Sequence, residues 1–416
     1  MDMRFIFADC QDYIDPGFDF ESDEYSPDRR VQHDDVYPHE YFGAAPYDGM
    51  LVSRAIVGDE RWRGKYTTAQ SIRFRRDGVR AFLRYNPTSP DAMIMGDCGA
   101  FSYVKEEEPP YTIPEMVEYY AECGFTHGVS IDHVILGFTD QMPLSGVPQD
   151  WQFRYDLTLR LAEEFREYCR EHGAPFVPVG VAQGWSPASY REAVRRLVEM
   201  GYEYVAIGGM VPLKAGQIHR VLQAVREASP SVRLHLFGFT KADNIREFVP
   251  YRIESFDSTS PLLRAFKDGR RNYLAPNRWY TAIRVPDADE SHYFRSHILA
   301  GLKEQRHLRA LEQDALSALR SYAGGTETVE GALRAVAAYG SEFPSRVAEE
   351  EYRKTLTDKP WTKCCCRACR ESGVEVLIFR GSNRNRRRGF HNLWQFYRHL
   401  CALRSGGRAG SARGTE

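Results

Sequence analysis

The chain has 416 residues, 43% of them hydrophobic and 27% charged, with 55 Lys and Arg set against 57 Asp and Glu. That length allows one large barrel or two to three ordinary domains, and no apolar run approaches the ~20 residues that cross a bilayer, so a membrane protein is excluded and a soluble, cytoplasmic one is expected. The charge balance excludes a strongly basic nucleic-acid binder, yet the distribution is uneven: Asp9, Asp12, Asp15, Asp19, Glu21, Asp23 and Glu24 crowd the beginning, and Arg380, Arg384, Arg386, Arg387 and Arg388 the end.

In chain order, residues 1–49 are rich in Asp, Tyr, Pro and His, with a short strand candidate at Arg4–Ala8, and read as a cap or edge segment. From Met50 the chain alternates strand and helix patterns. Met50–Ser53 is strand-like, and 67–85 is helical with Thr67 or Thr68 as its cap. A strand is expected at Met93–Gly96, a helix at 113–123 with Pro114 and Glu115 in its first turn, and a strand at 128–132. A helix over 151–172 and a strand over 176–183 follow. A helix then opens at Ser186-Pro187, with Tyr190, Ala193, Val194, Leu197 and Val198 at helical spacing. Strands at 204–208, 234–238 and 253–257, with helices at 215–228 and 242–248 between them, continue the pattern.

Strands apolar on both faces, joined through helices by short connections, demand a parallel sheet covered by helices. Seven such strands fall between Met50 and Asp257, and 272–285 is expected to supply an eighth, which predicts an α/β protein built on a (β/α)8 TIM barrel. The expected organisation is a cap over 1–49 and a catalytic barrel over 50–286. A helical insertion over 287–356 follows, then a zinc-binding subdomain with a closing helix over 357–404 and a disordered tail over 405–416. Within the subdomain, Val374–Phe379 is read as a strand, the Arg/Asn/Gly stretch after it as a phosphate-contacting loop, and 391–403 as the closing helix.

Ligands of a parallel barrel sit at the carboxyl ends of its strands, so the residues that end the apolar runs are the ones to inspect. In order these are Asp97, Asp132, Gln183, Gly208-Gly209 and Asp257. Any one of them suits a loop or helix cap, but five at equivalent positions define a site. Carboxylates accept from adjacent N–H groups, an amide both donates and accepts, and glycine backbone reaches a carbonyl oxygen, which together suits a purine-like base. Phe101 and Phe237, just past their strands, are placed to stack on a flat ring, a contact worth about 1–3 kcal/mol per base. Two remaining carboxylates fit covalent glycosyl transfer, one attacking an anomeric carbon and the other handling protons. Separately, Cys364-x-Cys366-x-x-Cys369 with His391 matches a closed tetrahedral zinc site, with Cys365 able to replace either neighbour.

These motifs resemble the tRNA-guanine transglycosylase superfamily. Asp97-Cys98-Gly99-Ala100-Phe101 stands where that family has Asp-Ser-Gly-Gly-aromatic, and Gly180–Gly184, Ala206–Met210, Leu236–Thr240 and Phe256-Asp257 match its later motifs in order. Its zinc motif is matched by Cys364, Cys366, Cys369 and His391-Asn392. The resemblance runs from about Met50 to Leu400 outside the helical insertion. Ser258-Thr259-Ser260-Pro261 departs from the Pro-Thr-Arg that tRNA enzymes carry after the nucleophile. The stretches Asp12–Phe20, Tyr37–Glu40, Pro46–Gly49 and Asp268–Tyr273 resemble instead the DpdA branch, which places preQ0 in DNA.

The resemblance implies a pentosyltransferase that exchanges guanine for a 7-deazaguanine base through a covalent aspartyl-glycosyl intermediate, with structural Zn2+ and no redox cofactor. Asp257 is then the nucleophile and Asp97 the general acid/base. Asp132, Gln183, Gly208, Gly209 and Met210 surround the base edge, and Phe101 and Phe237 its faces. Arg384, Arg386, Arg387 and Arg388 are expected to contact phosphates, and an accessory DNA-modification protein or opened DNA is an expected partner. The alternatives are a tRNA substrate, or a non-catalytic nucleic-acid-binding subunit, which the survival of both Asp97 and Asp257 argues against.

Overall fold

A computed structural model describes residues 3–86, 92–140, 146–239, 242–276, 278–344 and 347–409. Thr240 of the Leu236–Thr240 motif and residues 410–416 of the expected tail lie outside these. Two compact units are present: the first comprises Met1–Gln11, Tyr47–Thr259 and Cys401–Glu416, the second Asp12–Pro46 and Ser260–Leu400.

The first unit is a closed barrel of eight strands: β1 (Arg4–Ala8), β2 (Gly49–Ser53), β3 (Met93–Asp97), β4 (His127–Val129), β5 (Val177–Ala182), β6 (Tyr204–Ile207), β7 (Arg233–Leu236) and β8 (Ser255–Asp257). All neighbours are parallel, and β1 pairs with both β2 and β8, Ile6 aligning with Gly49 on one side and Asp257 on the other. The (β/α)8 expectation holds, but its eighth strand is Arg4–Ala8 rather than 272–285. The strand closes the ring with an apolar core, Phe5-Ile6-Phe7, that is at most 1% exposed.

Inside the barrel, Ile6, Leu51, Met93, Met95, Val129, Val179, Val181, Tyr204 and Ala206 interlock as one buried cluster. Each such aliphatic side chain contributes about 1.5–3 kcal/mol by leaving water. The outer helices are fixed by the pattern that predicts them. In Pro187–Glu199, Ser186 caps by accepting from the Ser189 N–H at 3.2 Å, proline sits in the first turn, and Tyr190, Ala193, Val194 and Leu197 are buried. Val198, one position beyond that stripe, is 40% exposed. The helix Thr68–Leu83 is capped by Thr67, with Gln70 returning the bond to the Thr67 N–H.

In the second unit, 272–285 forms a short antiparallel pair, Tyr273–Ala275 with Arg278–Tyr280, and then Ile283–Arg284 pairs with Ile378–Phe379. Helices His292–Leu299, Gln305–Ala323, Val329–Gly340 and Glu349–Asp358 occupy the expected helical insertion. Of the strand expected over Val374–Phe379, only Ile378–Phe379 is extended, and the part before it lies in a 3-10 turn, Gly373–Leu377.

The expected arginine loop is a correction of greater consequence. Ser382–Ala409 is one helix, merging the loop with the closing helix and running through 405–409 of the expected tail. Three of its arginines turn inward: Arg384 is 1%, Arg387 3% and Arg388 0% exposed. Arg384 pairs with Asp23 and, at 2.6 Å, with Glu375. Arg387 donates to Asn383 Oδ1 and to the carbonyls of Asp15 and Pro16, and Arg388 to those of Val376, Ile378 and Ala265. Guanidinium groups spent on the chain's own carboxylates and carbonyls are not available to phosphates. Arg386 is half-buried and donates to the Tyr13 carbonyl at 3.0 Å.

Candidate active site

The barrel brings the polar strand ends together. Asp97 is the last residue of β3, Asp132 lies three residues past β4, Gln183 one past β5, Gly208-Gly209 directly past β6, Phe237 one past β7, and Asp257 ends β8. After Asp97 the chain turns sharply at Gly99, whose φ is +88° and where a Cβ would fall 2.4 Å from the Ser53 Oγ. Only glycine allows that turn, which holds β3's carboxylate against β2.

Asp132 and Gln183 form the base of the site. Gln183 Nε2 donates to Asp132 Oδ2 at 2.6 Å, while the Cys98 thiol faces Asp132 Oδ1 at 3.3 Å and the Tyr103 hydroxyl faces the Cys98 sulfur at 2.9 Å. The cysteine that replaces the family's serine is thus buried and engaged with the site's second carboxylate. Gly208 must lack a side chain because a Cβ would stand 2.2 Å from the Gln183 amide, and Tyr190 fixes this turn by donating to the Gly208 carbonyl at 2.9 Å. Gly209 has φ +70°. Met210 is buried at 1%, while Phe101 is 51% exposed; Phe237 is partly buried, its ring edge-on to His235 at 4.9 Å.

The electrostatics separate the carboxylates. Burial pushes Asp97 up to about 7, and the negative charges of Asp132 and Asp257 add to the shift. Burial also raises Asp132 to about 6, against the lowering effect of its bonds from Gln183 and Cys98. A carboxyl raised this far can exchange a proton near neutrality. Asp257, 8% exposed, has one oxygen occupied: Oδ1 accepts from the Gly238 N–H at 2.9 Å and lies 3.2 Å from His235 Nε2.

Two polar residues escape a reading confined to strand ends. His235 lies within β7, flanked by Leu234 and Leu236, and its signal is a lone imidazole inside an apolar run. Asp9 follows β1, a strand not counted in the barrel from sequence. It is 2% exposed, accepts from the Tyr66 hydroxyl at 2.7 Å, and is raised chiefly by burial.

In the second unit, the ligand atoms of Cys364, Cys366, Cys369 and His391 all lie within 4.8 Å of one another and can hold a metal ion. His391 Nδ1 is 3.5, 3.3 and 3.2 Å from the three sulfurs, close to the edges of a tetrahedron with Zn–S ≈ 2.3 Å and Zn–N ≈ 2.0 Å. The other ring nitrogen lies 2.6 Å from the Leu274 carbonyl, which leaves Nδ1 free of hydrogen for a metal. Cys365 is exposed, outside the cluster. Of the three adjacent cysteines, Cys364 and Cys366 are the two whose sulfurs lie in the cluster.

A parallel barrel with acidic groups at its carboxyl-end mouth defines the general class of a barrel enzyme. Comparison with known proteins makes it specific. A DNA-guanine transglycosylase of Salmonella montevideo is 42% identical over 408 residues, 96% of this chain and 96% of that protein. A tRNA-guanine(15) transglycosylase of Pyrococcus abyssi is 28% identical over 205 residues, 48% of this chain and 32% of that protein. No protein-family model matches the chain. The chain belongs to the tRNA-guanine transglycosylase superfamily, in its DpdA branch, and is a base-exchange pentosyltransferase. Among the described residues no helix is long and apolar enough to cross a membrane.

Proposed function

We propose that the barrel mouth exchanges guanine in DNA for a 7-deazaguanine base, preQ0, through a covalent glycosyl ester on Asp257. The observation that carries this reading is the unlike treatment of two carboxylates at one mouth: Asp257 with one oxygen fixed by a backbone N–H, and Asp97 raised to about 7. DNA as substrate is supported by the name of the Salmonella relative, with which nearly the whole chain aligns.

In the first half-reaction an Asp257 oxygen forms a bond to C1′ as the C1′–N9 bond breaks, and guanine leaves with the electron pair and takes the proton of Asp97, which becomes a carboxylate. In the second, Asp97 removes the N9 proton of the incoming base, N9 attacks C1′, and the ester C–O bond breaks to restore the Asp257 carboxylate. Asp132, Gln183 and the Gly208-Gly209 backbone recognise the base edge, Met210 bounds the pocket, and Phe101 and Phe237 offer faces for stacking. A base inside a duplex must first be extruded, at a cost of a few kcal/mol, so opened DNA or an accessory DNA-modification protein assists.

Zn2+ held by Cys364, Cys366, Cys369 and His391 supplies a fold cross-link, with all four positions protein-filled and none left for substrate. A cytoplasmic setting, with thiols reduced, suits this cluster. The reading is tested by offering the purified protein labelled guanine, or labelled preQ0, with duplex DNA, opened DNA and tRNA. Label in DNA is expected; label confined to tRNA overturns the choice of substrate.

A further inference from the structure

Beneath Asp257 the barrel interior carries a chain of polar groups that the exchange reaction as described leaves unused. His235 is completely buried in β7. Its Nε2 lies 3.2 Å from Asp257 Oδ1 and its Nδ1 2.6 Å from Ser255 Oγ, and the Ser255 hydroxyl meets that of Tyr204. Strands β6, β7 and β8 each contribute one member, and the chain ends on the oxygen that already accepts from the Gly238 N–H.

A neutral imidazole has one hydrogen to place. On Nδ1 it would leave the Nε2 lone pair facing a carboxylate oxygen, with no hydrogen between two acceptors. On Nε2 it bonds Asp257 Oδ1, Nδ1 accepts from Ser255, and Ser255 accepts from Tyr204, so every hydroxyl hydrogen in the chain has an acceptor. We propose that His235 is a positioning residue for Asp257: the Tyr204–Ser255 relay holds it in the Nε2–H tautomer, and together with the Gly238 N–H it fixes Oδ1 and leaves Oδ2 to attack. This rests on the reading of Asp257 as nucleophile.

A mechanistic consequence separates this role from simple packing. While Asp257 Oδ2 is bonded to C1′, Oδ1 is the carbonyl oxygen of an ester and carries little charge. As the ester C–O bond breaks and the electron pair returns to Asp257, charge flows back onto Oδ1, where both donors point. Donors aimed at developing charge accelerate the step in which it develops, so His235 acts most strongly on discharge of the glycosyl-enzyme.

The experiment isolates that step. Full-length protein is loaded with DNA without incoming base, the adduct is isolated, and its discharge by added guanine is followed on denaturing gels. His235→Phe is expected to slow discharge on the order of 10²–10³-fold, in keeping with loss of one donor to a developing anion, with KM for guanine changed much less. His235→Gln, which keeps an N–H, should recover most of the loss, and Ser255→Ala, which frees the tautomer, should fall between.

Discharge at the wild-type rate in His235→Phe overturns the proposal, as does His235→Gln being no faster than His235→Phe. If His235→Phe does not fold, a wild-type rate in Ser255→Ala overturns it. Absence of any adduct in the wild-type protein instead removes the nucleophile reading, and this inference with it.

Discussion

Acidic residues are wholly or partly buried in both units, but in opposite company. In the second unit Asp23 and Glu375 are met by Arg380, Arg384 and Arg320, and Glu312 by Arg380 at 2.6 Å. At the barrel mouth, among the described residues, Asp97, Asp132 and Asp257 have no lysine or arginine partner; their bonds come from an amide, a thiol, backbone N–H groups and an imidazole. An acid paired with a guanidinium forms an ion pair that ties distant parts of the chain together. Asp97, desolvated beside Asp132 and Asp257, is raised and has a proton to trade, at a cost to stability.

The largest effect should come from the mouth. Asp257→Asn is expected to lower guanine exchange by about 10⁴-fold or more, as loss of a nucleophile does, while the thermal midpoint stays within a few degrees of wild type. Labelled-guanine exchange and a melt followed by circular dichroism check both halves, and a large fall in the melt would move Asp257 to the structural class.

Asp97→Asn should reduce turnover on the order of 10²–10⁴-fold and also make the protein more stable at pH 8. Because the folded Asp97 is raised to about 7, the native state holds a proton that the unfolded chain, with an ordinary carboxylate near 4, has released. Stability therefore falls as pH rises from about 4 to 7, and the asparagine variant removes that slope, gaining about 1–3 kcal/mol at pH 8. Urea titrations at pH 5 and pH 8 measure it; equal slopes in the two proteins would contradict the placement of Asp97 among unpaired acids.

The second unit should respond in stability. Cys366→Ser is expected to lose stoichiometric zinc by elemental analysis and to fold poorly, since four protein ligands make the metal part of the fold. Retained zinc would point to a different ligand set. Arg384→Ala should cost about 2–3 kcal/mol in denaturant melts by leaving Asp23 and Glu375 short of a partner, with the salt dependence of DNA binding unchanged. A flatter salt dependence would show that the arginine reaches phosphate after all.

The same contrast explains what was legible in the sequence. Strand ends at Asp97, Gln183 and Asp257 stand out because a parallel barrel writes each buried strand as an apolar run with a polar stop, information that is local. β1 escapes that reading because Arg4–Ala8 sits alone ahead of an acidic segment, with its partners β2 and β8 about 40 and 250 residues away. Arg384 and Arg388 read as a phosphate-contacting loop because the groups that bury them, Asp23, Glu375 and the Ala265 carbonyl, are distant in the chain or carry no sign of the pairing. His235 is visible but silent, since one imidazole in an apolar run looks the same whether it fills space or serves Asp257.

The central claim is that Asp257 forms a bond to the sugar. Wild-type protein incubated with opened guanine-containing DNA and no incoming base should yield a protein–DNA adduct that survives denaturing electrophoresis, is discharged by added guanine, and is absent from Asp257→Ala. An adduct undiminished in Asp257→Ala would contradict the account.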